Sequence, residues 1–206
     1  MNEISGTPVV CATQQTVSMP DKRSGSIWRW VCPQTIVLDV EAIDKQQALE
    51  LVASLCERFQ NLAPGPTLRA LLRREEVGST GLGQGIAIPH ARIDGINEPV
   101  TLFVRLKAPI EFGAPDGKLV SQLFVILVPA EGTSDEHLEL LAGVAEMLSD
   151  RSLRRLLADA SEVSEVRRAL VQWISSKIGS DADTTGVRGA ASRSTKNSVV
   201  RGTGAC

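Results

Sequence analysis

The chain has 206 residues, of which 43% are hydrophobic, and its formal net charge is −2 at pH 7. This near-neutral balance gives no electrostatic basis for a nucleic-acid partner. The longest apolar run, residues 123–130, is far shorter than a membrane-spanning helix, so the sequence predicts no membrane insertion.

The four cysteines also narrow the class of protein. Cys11, Cys32, Cys56 and Cys206 form no Cys-x-x-Cys pair, which argues against a disulfide framework and against a zinc site. The N-terminus lacks the basic segment and apolar run of a signal peptide. We therefore expect a cytoplasmic protein, and nothing in the sequence requires a bound cofactor or metal.

Composition divides the chain into three parts. Residues 1–33 are polar and predict an irregular N-terminal extension, in which either Met1 or Met19 is the start. Residues 34–178 alternate between apolar and polar segments and predict one folded domain. Residues 179–206 are rich in Gly, Ser, Thr and Ala, which predicts a disordered C-terminal tail.

The first half of the domain predicts a strand and two helices. Apolar residues alternate over 36–40, as in a half-buried strand. Asp44 and Gln47 have the spacing of a capping box. The helix that follows has an apolar stripe of Ala48, Val52, Leu55 and Phe59. A second helix, marked by Leu68, Leu71 and Leu72, ends at Gly78. A short strand is expected over 85–88.

The second half predicts two longer strands. Alternation over 100–107 indicates a strand with one face buried and the other partly wet. Residues 114–117 (Ala-Pro-Asp-Gly) form a turn. The continuous apolar run 123–128 is typical of a central strand covered on both faces.

Three further helices complete the predicted domain. Ser134 caps the first, whose expected core stripe is Leu138, Leu141, Ala145 and Leu148. Asp150 starts the second, and Ser161 or Ser164 the third. The expected buried side of the third is Val163, Val166, Leu170, Trp173 and Ile174. Together these elements predict an α/β fold, a mixed central β-sheet flanked by helices on both sides.

The stretch 78–90, Gly-Ser-Thr-Gly-Leu-Gly-Gln-Gly-Ile-Ala-Ile-Pro-His, carries the clearest chemical signal. It places one of only two histidines, His90, directly after a stiff proline and a glycine-rich segment whose N–H groups can approach an anion. It is not a Walker A loop, because Gln84 stands where lysine is required. It is not a dinucleotide fingerprint, because no helix follows. A plain turn is the alternative.

Four other residues are candidates for holding a phosphoryl group beside His90. Arg74 precedes the glycine-rich segment, Ser79 and Thr80 begin it, and His137 lies in the first turn of a helix, where an anion is favoured. Each has a structural alternative: Arg74 can pair with a carboxylate, the two hydroxyls can organise the loop, and His137 can cap its helix.

The segment from Arg74 to His90 resembles the signature of enzyme IIA proteins of the fructose/mannitol class (type 2) of the bacterial phosphoenolpyruvate-dependent phosphotransferase system. The nitrogen-related enzyme IIA is the most similar subtype, and the likeness extends over residues 36–174. It implies that Nε2 of His90 carries the phosphoryl group, with His137 beside it and Arg74 before the loop. Ala91 stands where many relatives have glycine.

The resemblance implies a phosphotransferase component that forms a phosphohistidine, with a histidine-phosphorylated carrier protein as the donor. The free-standing chain favours a nitrogen-type regulatory enzyme IIA, which acts on regulatory target proteins. Two alternatives stay open. One is a sugar-transport enzyme IIA that passes the phosphoryl group to a cysteine of an enzyme IIB, and the other is a non-catalytic binding module.

Overall fold

A computed structural model describes residues 31–132 and 134–184 of the chain. The predictions for residues 1–30 and 185–206 lie outside the described residues. The chain divides into two compact units, Met1–Ile174 and Ser175–Cys206. Every described strand, and the candidate site, lies in the first unit.

A mixed sheet forms the centre of this unit. Its six strands are β1 (Thr35–Val40), β2 (Gly81–Gly83), β3 (Ile86–Ala87), β4 (His90–Ile93), β5 (Val100–Ile110) and β6 (Val120–Pro129). The order is β1-β5-β6-β3-β2, and β4 also pairs with β6. The β1–β5, β3–β6 and β4–β6 pairs are parallel, whereas β5–β6 and β2–β3 are antiparallel.

The described residues also form five helices. They are α1 (Lys45–Gln60), α2 (Pro64–Val77), α3 (Ser134–Ser149), α4 (Arg151–Asp159) and α5 (Val163–Thr184). Helix α5 therefore continues beyond residue 178, where we expected the domain to end.

The caps follow the local sequence. The Asp44 carboxylate accepts from the Gln47 N–H at 2.8 Å, and Gln47 reaches back to the Ile43 N–H, also at 2.8 Å. Asp150 caps α4 through the N–H groups of Ser152 and Leu153. The predicted stop of α2 at Gly78 is confirmed. Helix α3 begins at Ser134, whose side chain is outside the described set.

Helices α1 and α2 cover one face of the sheet. Their buried residues, including Val52, Cys56 and Leu71, pack with inward residues of the two central strands, including Val104 and Val125. Burial raises the pKa of the Cys56 thiol to about 12, so this cysteine is an inert part of the core.

The opposite face of β5 is buried too, so the prediction that it is partly wet is wrong between residues 100 and 106. Thr101 and Phe103 are fully buried. Arg105 donates to the carbonyl groups of Ala158 and Ala160 at the end of α4, at 2.9 and 2.5 Å. Helix α4 lies against this face and accepts hydrogen bonds from its buried arginine.

The predicted core stripe of α3 is confirmed at Leu148 and wrong at Leu138, while Leu141 and Ala145 are half-buried. Leu138 is 60% exposed, whereas Leu140, Val144, Met147 and Leu148 are buried. Leucines at 138, 140, 141 and 148 satisfy two helical phases, and packing on the sheet selects one of them. The predicted buried side of α5 is confirmed, since all five of its residues are buried.

The region around the glycine-rich segment is more regular than predicted. The expected strand over 85–88 contains only Ile86 and Ala87, because the Ile88 N–H bonds to Thr80 and Pro89 has no N–H to give. His90 begins strand β4, and residues 81–83 form the additional strand β2. The predicted turn at 114–117 closes through the Gly117 N–H and the Ala114 carbonyl. The α/β prediction as a whole is confirmed.

Candidate active site

The backbone on both sides of His90 is fixed by the sheet. Ile88 donates its N–H to Thr80 O at 2.9 Å, and Ile126 of β6 donates to Pro89 O at 2.9 Å. His90 itself pairs in register with Ile126. The imidazole, which is half-buried, therefore projects from a backbone that has little freedom to move.

Two hydrogen bonds define the protonation of the imidazole. Nδ1 of His90 lies 2.8 Å from the carbonyl oxygen of Ile88, which can only accept, so the proton is on Nδ1. Nε2 then holds the lone pair and accepts from Nε of Arg74 at 2.8 Å. The nitrogen with nucleophilic character is thus Nε2, and it faces a cation.

Arg74 reaches the histidine from the last turn of α2. Its Nη1 donates to the carbonyl oxygen of Gly78 at 3.0 Å, which holds the guanidinium across the helix end. The next residue, Glu75, uses its carboxylate differently. Its Oε2 accepts from the N–H and hydroxyl of Thr80 at 3.0 and 2.6 Å, and Lys45 donates to Oε1 at 2.9 Å. Consecutive residues of α2 therefore hold His90 and the start of the glycine-rich segment.

Ser79 and Thr80 are both engaged within the protein. The Ser79 hydroxyl donates to the Phe112 carbonyl at 2.7 Å and accepts from the Gly81 N–H at 3.1 Å. The Thr80 side chain is directed to Glu75 rather than to His90. Gly81 is required by close packing, because a Cβ there would lie 2.8 Å from the Ala114 Cα.

His137 lies beside His90, as predicted. The ring centroids are 5.6 Å apart and the ring planes are tilted by 46°. Nδ1 of His137 is buried and has no hydrogen-bond partner among the described residues. A donor or acceptor atom is therefore available next to the nucleophilic histidine.

Both imidazoles are held in the neutral form. Burial lowers the pKa of His90 below 6.5; the Ile88 carbonyl opposes this, the Arg74 charge reinforces it, and Glu75 opposes it. Burial is also the main cause of the lowered pKa of His137, followed by the charges of His90, Arg92 and Arg74. A neutral His90 at neutral pH is the form that can attack a phosphorus atom.

Sequence reasoning missed three contributors to this site: Lys45, Glu75 and Arg92. Arg92 donates to the Gly132 carbonyl at 3.0 Å, which ties β4 to the segment before α3 and so to His137. Glu75 and Lys45 are far apart in sequence and had no recognisable spacing. Arg92 had one available signal, since it is two residues from His90 and shares its face of an extended strand.

Residues 31–173 match the family model described as "Phosphoenolpyruvate-dependent sugar phosphotransferase system, EIIA 2". The chain belongs to this family. The Arg74–His90 segment and the paired histidines therefore occur in a phosphotransferase-type EIIA protein.

Individual relatives agree with this assignment. The nitrogen regulatory protein of Pseudomonas aeruginosa is 39% identical over 140 residues, covering 68% of this chain and 90% of the relative. The crystal structure of nitrogen regulatory protein IIA-Ntr from Neisseria meningitidis is 44% identical, with a TM-score of 0.62, over 66% of this chain and 92% of that one. Escherichia coli IIA mannitol, 24% identical with a TM-score of 0.57, shares the fold over 66% and 94%.

Two other kinds of feature are absent from the described residues. No cluster of three or more His, Cys, Asp or Glu side chains suited to a metal occurs within residues 31–132 and 134–184. Within the same ranges, no helix combines the length and apolar character needed to cross a bilayer.

Proposed function

We propose that this EIIA protein carries a phosphoryl group on Nε2 of His90 and acts as a nitrogen-type regulator. The observation that carries the proposal is the pair of 2.8 Å contacts that leave the proton on Nδ1 and the lone pair on Nε2. We assign this function to the domain predicted over residues 34–178, whose last helix runs on to Thr184, and we place it in the cytoplasm.

The reaction requires one bond to form and one to break. The donor is a carrier protein that holds the phosphoryl group on its own histidine. The Nε2 lone pair of His90 attacks phosphorus, and the P–N bond of the donor breaks, leaving its electron pair on the donor nitrogen. His90 keeps its proton on Nδ1, and the Ile88 carbonyl stabilises the positive charge that develops on the ring.

The Arg74 guanidinium contacts different atoms before and during phosphoryl transfer. Before transfer it donates to the Nε2 lone pair, so it must release that atom as phosphorus approaches. Its guanidinium then lies beside the phosphoryl oxygens, where negative charge is spread in a loose transition state. We assign His137 a supporting role, donating from its ring to the same oxygens.

We assign Ser79 and Thr80 the role of holding the glycine-rich segment in place, rather than of contacting the phosphoryl group directly. Their hydroxyls already donate to Phe112 and Glu75, and both partners are fixed in the fold. Their contribution to phosphate binding is then indirect, because they hold the N–H groups of this segment in place.

The regulatory output follows from charge. Phosphorylation of His90 adds about −1.5 to −2 charge at neutral pH, next to Arg74 and His137. A target protein that docks an apolar surface here would be repelled, whereas one that presents arginine would be attracted. The similarity to proteins named nitrogen regulatory protein supports this output.

A phosphotransfer assay tests the acceptor. The protein is incubated with phosphoenolpyruvate, enzyme I and the carrier protein, and its intact mass is measured. We expect a gain of one acid-labile phosphoryl group, absent in His90→Ala and still formed, more slowly, in His137→Ala. No gain in the wild type, with the carrier protein phosphorylated, would indicate a non-catalytic binding module instead.

The family description, which names a sugar phosphotransferase system, supports a second output. In this alternative, His90 passes its phosphoryl group to a cysteine of an enzyme IIB. Mixing the phosphorylated protein with a fructose- or mannitol-class enzyme IIB distinguishes the two. Rapid loss of the phosphoryl group to the IIB cysteine would favour sugar transport over regulation.

A further inference from the structure

A basic pocket lies apart from His90, between the end of the glycine-rich segment, the start of β6 and helix α4. It has a volume of about 520 Å³, within the range of small-molecule sites. Gln122 lines it and lies four residues along β6 from Ile126, the register partner of His90. That spacing corresponds to about 13 Å of strand.

The charge of the pocket is positive. Lys118, Arg151, Arg154 and Arg155 line it, and none of the described lining residues is acidic. Arg151 and Arg155 are exposed and have no hydrogen-bond or ion-pair partner among the residues that the structure describes. The Lys118 ammonium lies 3.8 Å from a carboxylate oxygen of Asp116, which is a loose contact.

The floor of the pocket contains an unsatisfied acceptor. Gln122 is 5% exposed, and its Oε1 has no hydrogen-bond partner within the described ranges. The Gln122 Nε2 donates to the Arg154 carbonyl oxygen at 3.5 Å. Rotating the Gln122 amide by 180° would bring its oxygen against that carbonyl oxygen, and both atoms are acceptors, so the orientation with Oε1 unpartnered is the favoured one. A buried acceptor of this kind is stabilised by a hydroxyl or ammonium donor.

The wall of the pocket is held in place. Arg154 donates to the carbonyl groups of Leu148 and Ser149 at 2.7 and 2.6 Å, and to the side chain of Gln84. Gln84 is itself fixed through its N–H, which donates to Asp116 at 2.7 Å. The cations that remain free to meet a ligand are therefore the two exposed arginines and Lys118.

We propose that this pocket binds a small phosphomonoester that also carries a hydroxyl or amino group. A phosphate dianion matches the guanidinium groups of Arg151 and Arg155, which bind such oxygens bidentately. The hydroxyl or amino group donates to Gln122 Oε1, which the ligand must uncover as it enters because this oxygen is closed to solvent in the free protein. The site is separate from the phosphoryl acceptor, and it does not depend on the function proposed for His90.

Calorimetric titration of the full chain at fixed ionic strength tests this, with glucose 6-phosphate, sulfate and glucose as probes. Glucose 6-phosphate should bind, sulfate should bind more weakly, and glucose should not bind. Arg151→Gln/Arg155→Gln should weaken glucose 6-phosphate binding about tenfold or more. Gln122→Met should weaken glucose 6-phosphate but leave sulfate unchanged. The matched control Arg58→Gln/Arg69→Gln removes two charges from α1 and α2 and should change neither.

Each other outcome overturns the proposal. Absence of glucose 6-phosphate binding does so directly. So does an equal loss in the control pair, which would indicate non-specific attraction, or a loss in His90→Ala, which would place the ligand at the acceptor site. A deca-glutamate peptide that competes through the same arginines, with no effect of Gln122→Met, would identify a surface for an acidic protein. If Gln122→Met does not fold, the exposed arginine pair decides the question.

Discussion

Replacing Glu75 by glutamine tests how α2 holds the start of the glycine-rich segment. The Glu75 side chain is 8% exposed and accepts from Lys45 and from two donors of Thr80. Burial acts to raise the pKa of this carboxyl, but hydrogen bonds from Thr80 and Lys45 outweigh it, and the pKa is lowered below 4.5. Glutamine keeps the shape and one acceptor, but it removes the charge.

The expected loss can be worked out from these contacts. A hydrogen bond to a charged group contributes about 1.5–3 kcal/mol net. The Lys45 side chain is 33% exposed and its ammonium regains part of its hydration, so we take the lower end for this pair. The amide oxygen still accepts from Thr80, more weakly than the carboxylate did. Together the variant should lose about 2–3 kcal/mol of unfolding free energy.

Urea unfolding measures this change, with Glu76→Gln as the matched control. Glu76 is the exposed neighbour on α2, so the control should resemble the wild type. Because the Glu75 pKa is lowered in the folded state, its contribution is present above pH 4.5 and is lost as the pH falls further. Phosphorylation of His90 should slow about tenfold or more, since small displacements of catalytic groups are costly.

Two results would refute this reasoning. One is a change in unfolding free energy for Glu75→Gln that equals that of Glu76→Gln. The other is a difference between Glu75→Gln and the wild type that stays constant from pH 7 to below pH 4.5, because the ionised carboxylate would then contribute nothing.

Three further predictions concern the site and the fold. Arg74→Gln should raise the His90 pKa, measured by NMR titration, and slow phosphorylation about a hundredfold, because a cation and a donor are lost. The phosphorylation rate should fall as the pH drops below the pKa of His90, which is itself below 6.5. On the same acidification the unfolding free energy should fall too, because His90 and His137 bind protons at a higher pH in the unfolded chain than in the folded protein. Arg105→Met should cost about 2–4 kcal/mol in urea unfolding, because carbonyl groups at the end of α4 lose their donor; the exposed Lys107→Met is the control.

These predictions fail in distinct ways. An unchanged His90 pKa in Arg74→Gln would mean that the 2.8 Å contact does not persist in solution. A phosphorylation rate that rises on acidification would identify the protonated imidazole as the active form. An Arg105→Met variant as stable as Lys107→Met would mean that water replaces the arginine at the end of α4.

The local parts of the fold were predictable from the sequence. Asp44 and Gln47 form their reciprocal cap within four residues of each other, and the turn at 114–117 closes on itself. The run 123–128 contains enough apolar residues to be buried whichever helices cover it. His90 was identifiable because the whole Arg74–His90 segment resembles the enzyme IIA signature, in which the histidine after proline carries the phosphoryl group.

Other features depend on contacts between distant residues. Three leucines near the start of α3 allow two helical phases, and only packing on the sheet exposes Leu138 and buries Leu140. Alternation along β5 predicted a partly wet face, but the face is buried over residues 100–106 and α4 supplies carbonyl acceptors for Arg105. No pattern in the sequence predicts which helix covers which face of the sheet.

The sequence by itself determined the long strands, the capped helices and the position of His90 after a proline, because each rests on backbone preference and apolar pattern over a few residues. Only the tertiary structure decided the chemistry of the imidazole. The Nδ1 tautomer is local to Ile88, but the Arg74 contact, the neighbouring His137 and the lowered pKa arise when α2, β4 and α3 meet. Burial and charge act through space, so their effect on His90 depends on distances that spacing along the chain does not contain.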